Sequence, residues 1–157
     1  MDFLTILSRW VHIVTAAVAL GGVFFFCVVL PIGLGVLTPE QKEAAFLKTR
    51  RVFKMVFHTC ILLLVVSGTY NTIVNFPKYN LEPFPLHMIL GIHLLLALTV
   101  FAIAIYALAG KSPRVNHRKW MAINLAILFL VVAAASTLKS AREKAVAQHA
   151  DQTAMTK

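Results

Sequence analysis

The chain has 157 residues, 59% of them hydrophobic and 13% charged. With a mean hydropathy of +0.80, that apolar content excludes a soluble domain of this length, and an all-α integral membrane domain is expected. The net charge of +9 does not point to nucleic acid, because the basic residues gather between apolar runs, where lysine and arginine flank membrane helices.

The first apolar segment runs from about Phe3 to Leu30, densest after Arg9, and Pro31 and Gly33 punctuate its end. It is too long for the apolar core of a signal peptide and has no clear small-x-small cleavage site, so it reads as a retained helix. Thr38-Pro39-Glu40 opens the next segment, and a short amphipathic stretch follows through Phe46. Lys48, Arg50, Arg51 and Lys54 form a basic collar, and a second helix is expected from about Val52 to Val74. Asn75-Phe76-Pro77 stops it, and the stretch from Pro77 to Pro85 carries three prolines. A third helix, free of formal charge, spans about Leu86 to Ala109. Gly110-Lys111-Ser112-Pro113 makes a turn, and Arg114, Arg118 and Lys119 form a second collar. A fourth helix runs from about Arg118 to Leu138, and the polar tail extends it before fraying. The expected division is a transmembrane domain over residues 1–139 and a polar tail over 140–157. Cys27 and Cys60 lie inside apolar segments and read as small packed residues, not as a disulfide.

Four spans put both termini on one side of the membrane. The first and third linkers carry most of the basic residues, so the positive-inside rule places both termini outside the cytoplasm. Short linkers favour an antiparallel up-down four-helix bundle. The expected location is an inner membrane of bacterial type, with the lipid bilayer as the first partner and a homo-oligomer or larger membrane complex as a further one.

Titratable side chains are rare inside such helices, because hydrocarbon solvates them poorly, and where they occur they carry function. His12 lies one turn into the dense part of the first helix, with Ala16 and Ala19 following on the same face. Small residues there leave room for a flat macrocycle or for a close helix neighbour. Arg9, one turn earlier, suits an anionic group such as a heme propionate, or snorkels to the headgroups. His87 and His93 are six positions apart, which on a helix turns them about 120° from each other. They do not readily serve one small site from one face. Two axial ligands of one heme must lie at similar depth on facing helices. His12 with His93 fits this if the first turn from Phe3 is embedded; if the helix begins at Arg9, His87 is the better depth match. His58 belongs nearer the cytoplasmic side, where it can form half of a second heme site with His117. His149 lies in the tail and is expected to take no part. Gly68 sits opposite His12 and lets a ring approach the backbone, or serves tight helix packing; Ser67, Thr69 and Tyr70 are beside it. Asn124 is an isolated amide expected to bridge helices.

Three passages resemble the CopD-like membrane family and its relative, the HemJ-type protoporphyrinogen oxidases. Arg9-Trp10-Val11-His12 through Gly21-Gly22 and Leu30-Pro31 resembles the first-helix pattern RWxH…GG…LP. Arg50-Arg51-Val52-Phe53 through Ser67-Gly68-Thr69-Tyr70-Asn71 resembles the second-helix RRF…TGxYN, and Leu90-Gly91-Ile92-His93-Leu94-Leu95-Leu96 the third-helix LxxKLLL. The resemblance implies a four-helix membrane protein and, carried over residue by residue, implicates His12 and His93 in heme binding or catalysis. The family lysine is His93 in this chain, which favours ligation of heme b by two imidazoles and an electron-transfer role over the oxidase reaction. The CopD resemblance implies copper handling, for which Met55, His58, His87 and Met88 are suitable ligand types. The leading expectation is a b-type cytochrome holding one heme or two. The alternatives are a porphyrinogen oxidase, a copper transporter and a structural subunit of a membrane complex. Nothing in the sequence identifies a redox partner or a quinone site.

Overall fold

The computed structural model describes residues 3–77, 86–108 and 117–155, and every element in it is helical. Among the described residues, four helices are long and apolar enough to cross a membrane. The proline-rich stretch before Pro85 and the Gly110–Pro113 turn lie outside the described residues.

The first helix, α1, spans Phe3–Phe24 and continues through a π-helical turn, Phe25–Val29, into Leu30–Gly33 and a 3-10 turn, Leu34–Val36. The expected stop at Pro31 is therefore not a stop. Proline lacks an N–H and its ring crowds the carbonyl four residues back. The π turn absorbs this by widening the ladder, so that the Leu30 N–H donates to the Phe25 carbonyl, five residues back.

The second helix, α2, runs unbroken over Pro39–Asn75. Thr38 and Gln41 form a reciprocal capping box: the Gln41 N–H donates to Thr38 Oγ1 at 3.4 Å and the Thr38 N–H to Gln41 Oε1 at 3.3 Å. The amphipathic stretch and the basic collar, expected as separate from the membrane helix, are its first turns. Lysine, arginine and alanine are good helix formers, so a change from polar to apolar residues does not interrupt the backbone.

The third helix, α3, is Leu86–Leu108, and the fourth, α4, is His117–Met155. The fourth helix continues past Lys139 into the tail, as expected. Ala145 is fully buried and packs with Leu86, Leu138 and Ala141, so the first turns of the tail belong to the helical body. Asn124 is fully buried, and neither its Oδ1 nor its Nδ2 has a hydrogen-bond partner among the described residues, so it makes no polar bridge between these helices.

α1 lies against α2, and α3 against α4. The two pairs meet along α1 and α4, and more thinly along α2 and α3; α1 and α3 make no direct backbone approach among the described residues. The larger core joins the ends of the helices nearest the basic collars. There Phe26 stacks on Phe53 with centroids 4.8 Å apart, and Val23, Phe57, Val100 and Met121 are buried around them. Gly22 permits this approach, because a Cβ there would stand 3.0 Å from Phe53 Cε2. Cys27 and Cys60 pack in the same cluster. The smaller core, Leu86, Leu138 and Ala145, joins only α3 and α4, at the other end. Between the two cores the helix pairs stand apart, and the histidines of α1 and α3 lie in that interval.

Candidate histidine centre

His12 on α1 and His93 on α3 line the same two cavities. One, of about 370 Å³, extends toward the chain termini past Arg9, Asn75, Leu138 and Arg142. The other, of about 380 Å³, extends toward the basic collars past Ala16, Phe57, Val100 and Leu128. The residue order on α1, α3 and α4 puts these cavities on opposite sides of the histidine pair along the helix axes. Their sizes fall in the range of cofactor sites.

Each imidazole is held through one ring nitrogen. Ser67 Oγ stands 2.6 Å from the Leu63 carbonyl and 2.9 Å from His12 Nδ1. A carbonyl only accepts, so the single hydroxyl proton goes to Leu63, and the serine oxygen accepts from Nδ1–H of His12. His93 Nδ1 is 3.3 Å from the Val131 carbonyl, which again requires Nδ1–H as the donor. Both rings are thereby set in the tautomer that leaves Nε2 with a free lone pair. This is the state a metal-binding imidazole needs, with its other nitrogen tied to an oxygen acceptor. Ser67 itself is fixed by its own helix, and Ser8 Oγ donates to its carbonyl at 3.3 Å, tying α1 to α2 one turn from His12.

The remaining sequence candidates fall out differently. Gly68 lines the terminal-side cavity, and the ring it admits is the imidazole of His12: a Cβ there would lie 3.2 Å from His12 Cε1. Arg9 lines the same cavity and donates from Nη2 to Asn75 Oδ1 at 3.3 Å. His87 is exposed and lines neither cavity. His58 is exposed and donates from Nδ1 to the Lys54 carbonyl of its own helix at 2.7 Å. It has the same tautomer as the central pair but shares no described cavity with a second imidazole; the side chain of its expected partner, His117, lies outside the described residues. Met55 and Met88 are both exposed, at 60% and 59%, and do not converge with the histidines on one site. Among the described residues no group of three or more histidine, cysteine or acidic side chains is gathered for a metal ion.

Sequence reasoning missed Lys139 and Arg142, which line the terminal-side cavity. Both lie at or past the expected end of the fourth membrane helix at Leu138, which hid them. The available signal was the spacing of Ala135, Leu138, Lys139 and Arg142, which continues one helical face past the end of the apolar run.

Two imidazoles, each tied through Nδ1 to an oxygen acceptor, thus line one apolar cavity and one lined by three cationic side chains. The chain matches no family model, no curated protein and no solved structure.

Proposed function

We propose that this chain is a membrane-embedded b-type cytochrome. Its four helices cross the bilayer as an antiparallel bundle, and His12 and His93 supply the two axial nitrogens for one heme b. The observation that carries this reading is the pair of imidazoles lining common cavities, each tied through Nδ1 to an oxygen acceptor. The donor set fits the group, since neutral imidazole Nε2 is a ligand for heme iron. When bound, heme iron supplies one-electron exchange between its ferric and ferrous forms. The chain's own part would be to present two imidazole nitrogens, from His12 and His93, to the group, which would leave no open site for oxygen chemistry. The residues around the pair keep water from the ring, and the Ser67 and Val131 acceptors hold the imidazoles in one orientation in either redox form.

The deciding experiment is an absorption spectrum of the purified full-length protein, oxidised and then reduced. A Soret band with a sharp reduced α-band is expected. A colourless, metal-free protein defeats the assignment in favour of a structural subunit, and copper without heme favours transport.

The same reading sets an orientation. The collars at Lys48–Lys54 and near Lys119 flank one face of the bundle, so that face is cytoplasmic and the termini are not. Thiol labelling of a cysteine introduced near Thr153 should succeed with a membrane-impermeant reagent added from outside the cytoplasm. Labelling only after lysis refutes the orientation.

A further inference from the structure

The two cavities beside the histidine pair differ in charge. The collar-side cavity is lined by apolar residues apart from the two histidines themselves. The terminal-side cavity is lined by Arg9, Lys139 and Arg142, and no acidic residue is among the described residues lining it. Glu143 approaches Lys139 at 3.9 Å, but both side chains are largely exposed, at 65% and 70%. A pair so exposed is screened by solvent and does little to neutralise the cavity. The Arg9 guanidinium is also positioned: it donates to Asn75 Oδ1, and the Asn75 amide is fixed in turn because its Nδ2 donates to the Asn71 carbonyl at 2.7 Å. Lys139 and Arg142, three positions apart on α4, line the same cavity from a second helix. Cations from two helices lining one cleft favour an anion there, and guanidinium groups favour carboxylates.

Heme b is itself divided in this way, with two carboxylates on one edge and an apolar rim opposite. Resting on the cytochrome reading, we propose that Arg9, Lys139 and Arg142 hold the two ring carboxylates. The ring is then bound in a single orientation, its carboxylate edge toward the chain termini and its apolar edge among the alanines of α1 and α3.

The test compares hemin with hemin dimethyl ester, in which both carboxylates are capped, titrated into full-length protein prepared without heme. Both ligands should give the same low-spin spectrum, with the ester bound about tenfold or more weakly, as loss of charged hydrogen bonds requires. In the Arg9→Gln/Arg142→Gln protein the acid should weaken toward the ester, while the ester binds as it does to the unaltered chain. Equal affinity of acid and ester in the unaltered chain overturns the orientation and leaves the cytochrome reading standing. An undiminished gap in the double variant overturns the role of these arginines. Failure of both ligands to give a low-spin spectrum overturns the cytochrome reading, and this proposal with it. The midpoint potential of protein assembled with heme in cells gives an independent readout. Removing two positive charges favours the ferric form, so the potential of the double variant should fall. An unchanged potential contradicts the proposal.

Discussion

The His93→Ala and His12→Ala proteins should each lose low-spin heme entirely, while His58→Ala, His87→Ala and His149→Ala should retain it. His12 and His93 are the two imidazoles that line both central cavities, and each is tied to an oxygen acceptor through Nδ1. On the cytochrome reading, removing one would leave a single imidazole to hold the heme. His58 and His87 are exposed and share no described cavity with that pair. Pyridine hemochrome content and the reduced α-band of the purified variants measure the effect. Added imidazole should restore a low-spin spectrum to His93→Ala, which separates loss of a ligand from loss of the fold. Full heme content with an unaltered spectrum in His93→Ala would sink the pairing. Loss of a separate heme fraction in His58→Ala would mean that the chain holds a second group.

Gly68→Val should weaken heme binding about 10- to 100-fold, the usual effect of disturbing the groups that orient a metal ligand. A Cβ at this position would stand 3.2 Å from His12 Cε1 and 3.6 Å from His12 Nδ1. The branched carbons beyond it need space that the imidazole occupies. The ring must give way, and the 2.9 Å contact with Ser67 is strained. Gly91 is the control, since a Cβ there meets nothing within 4 Å although the residue lies two positions from His93. Gly91→Ala should bind heme normally and fold at least as well, because alanine is the better helix former. Affinities from heme titration of the two variants check this. A Gly68→Val protein that binds as tightly as the unaltered chain shows that His12 is not held in the observed position.

The helices were legible because long apolar runs without formal charge have few other solutions. Their ends were less so. Polar segments rich in alanine, lysine and glutamate continue a helix as readily as apolar ones, which is why α2 absorbs the basic collar and α4 the tail. The π turn was not legible either, since Pro31 reads equally well as a stop and as a proline that a widened turn accommodates. At the site, residue type singled out His12 and His93, but the two possible starts of the first helix, Phe3 and Arg9, left His87 open as a depth match for His12. Their common cavities depend on how two helix pairs approach each other, a long-range property. The acceptors were hidden for a different reason: Val131 contributes a backbone carbonyl, which any residue there would provide.

The thin seam between the α1–α2 pair and the α3–α4 pair has a bearing on how the protein is made. Each pair is joined along its length, whereas the pairs meet each other mainly through α1 and α4, with the two cavities lying in the interval. On the cytochrome reading, the cofactor is a keystone, inserted when two separately formed hairpins come together. A ligand at a thousand times its dissociation constant adds about 4 kcal/mol to the folded state, a sizeable part of the roughly 5–15 kcal/mol by which most domains stay folded. Cells short of heme would then hold less of this protein, and not merely an empty form of it, because unfilled chains would open along the seam and be cleared by membrane proteases.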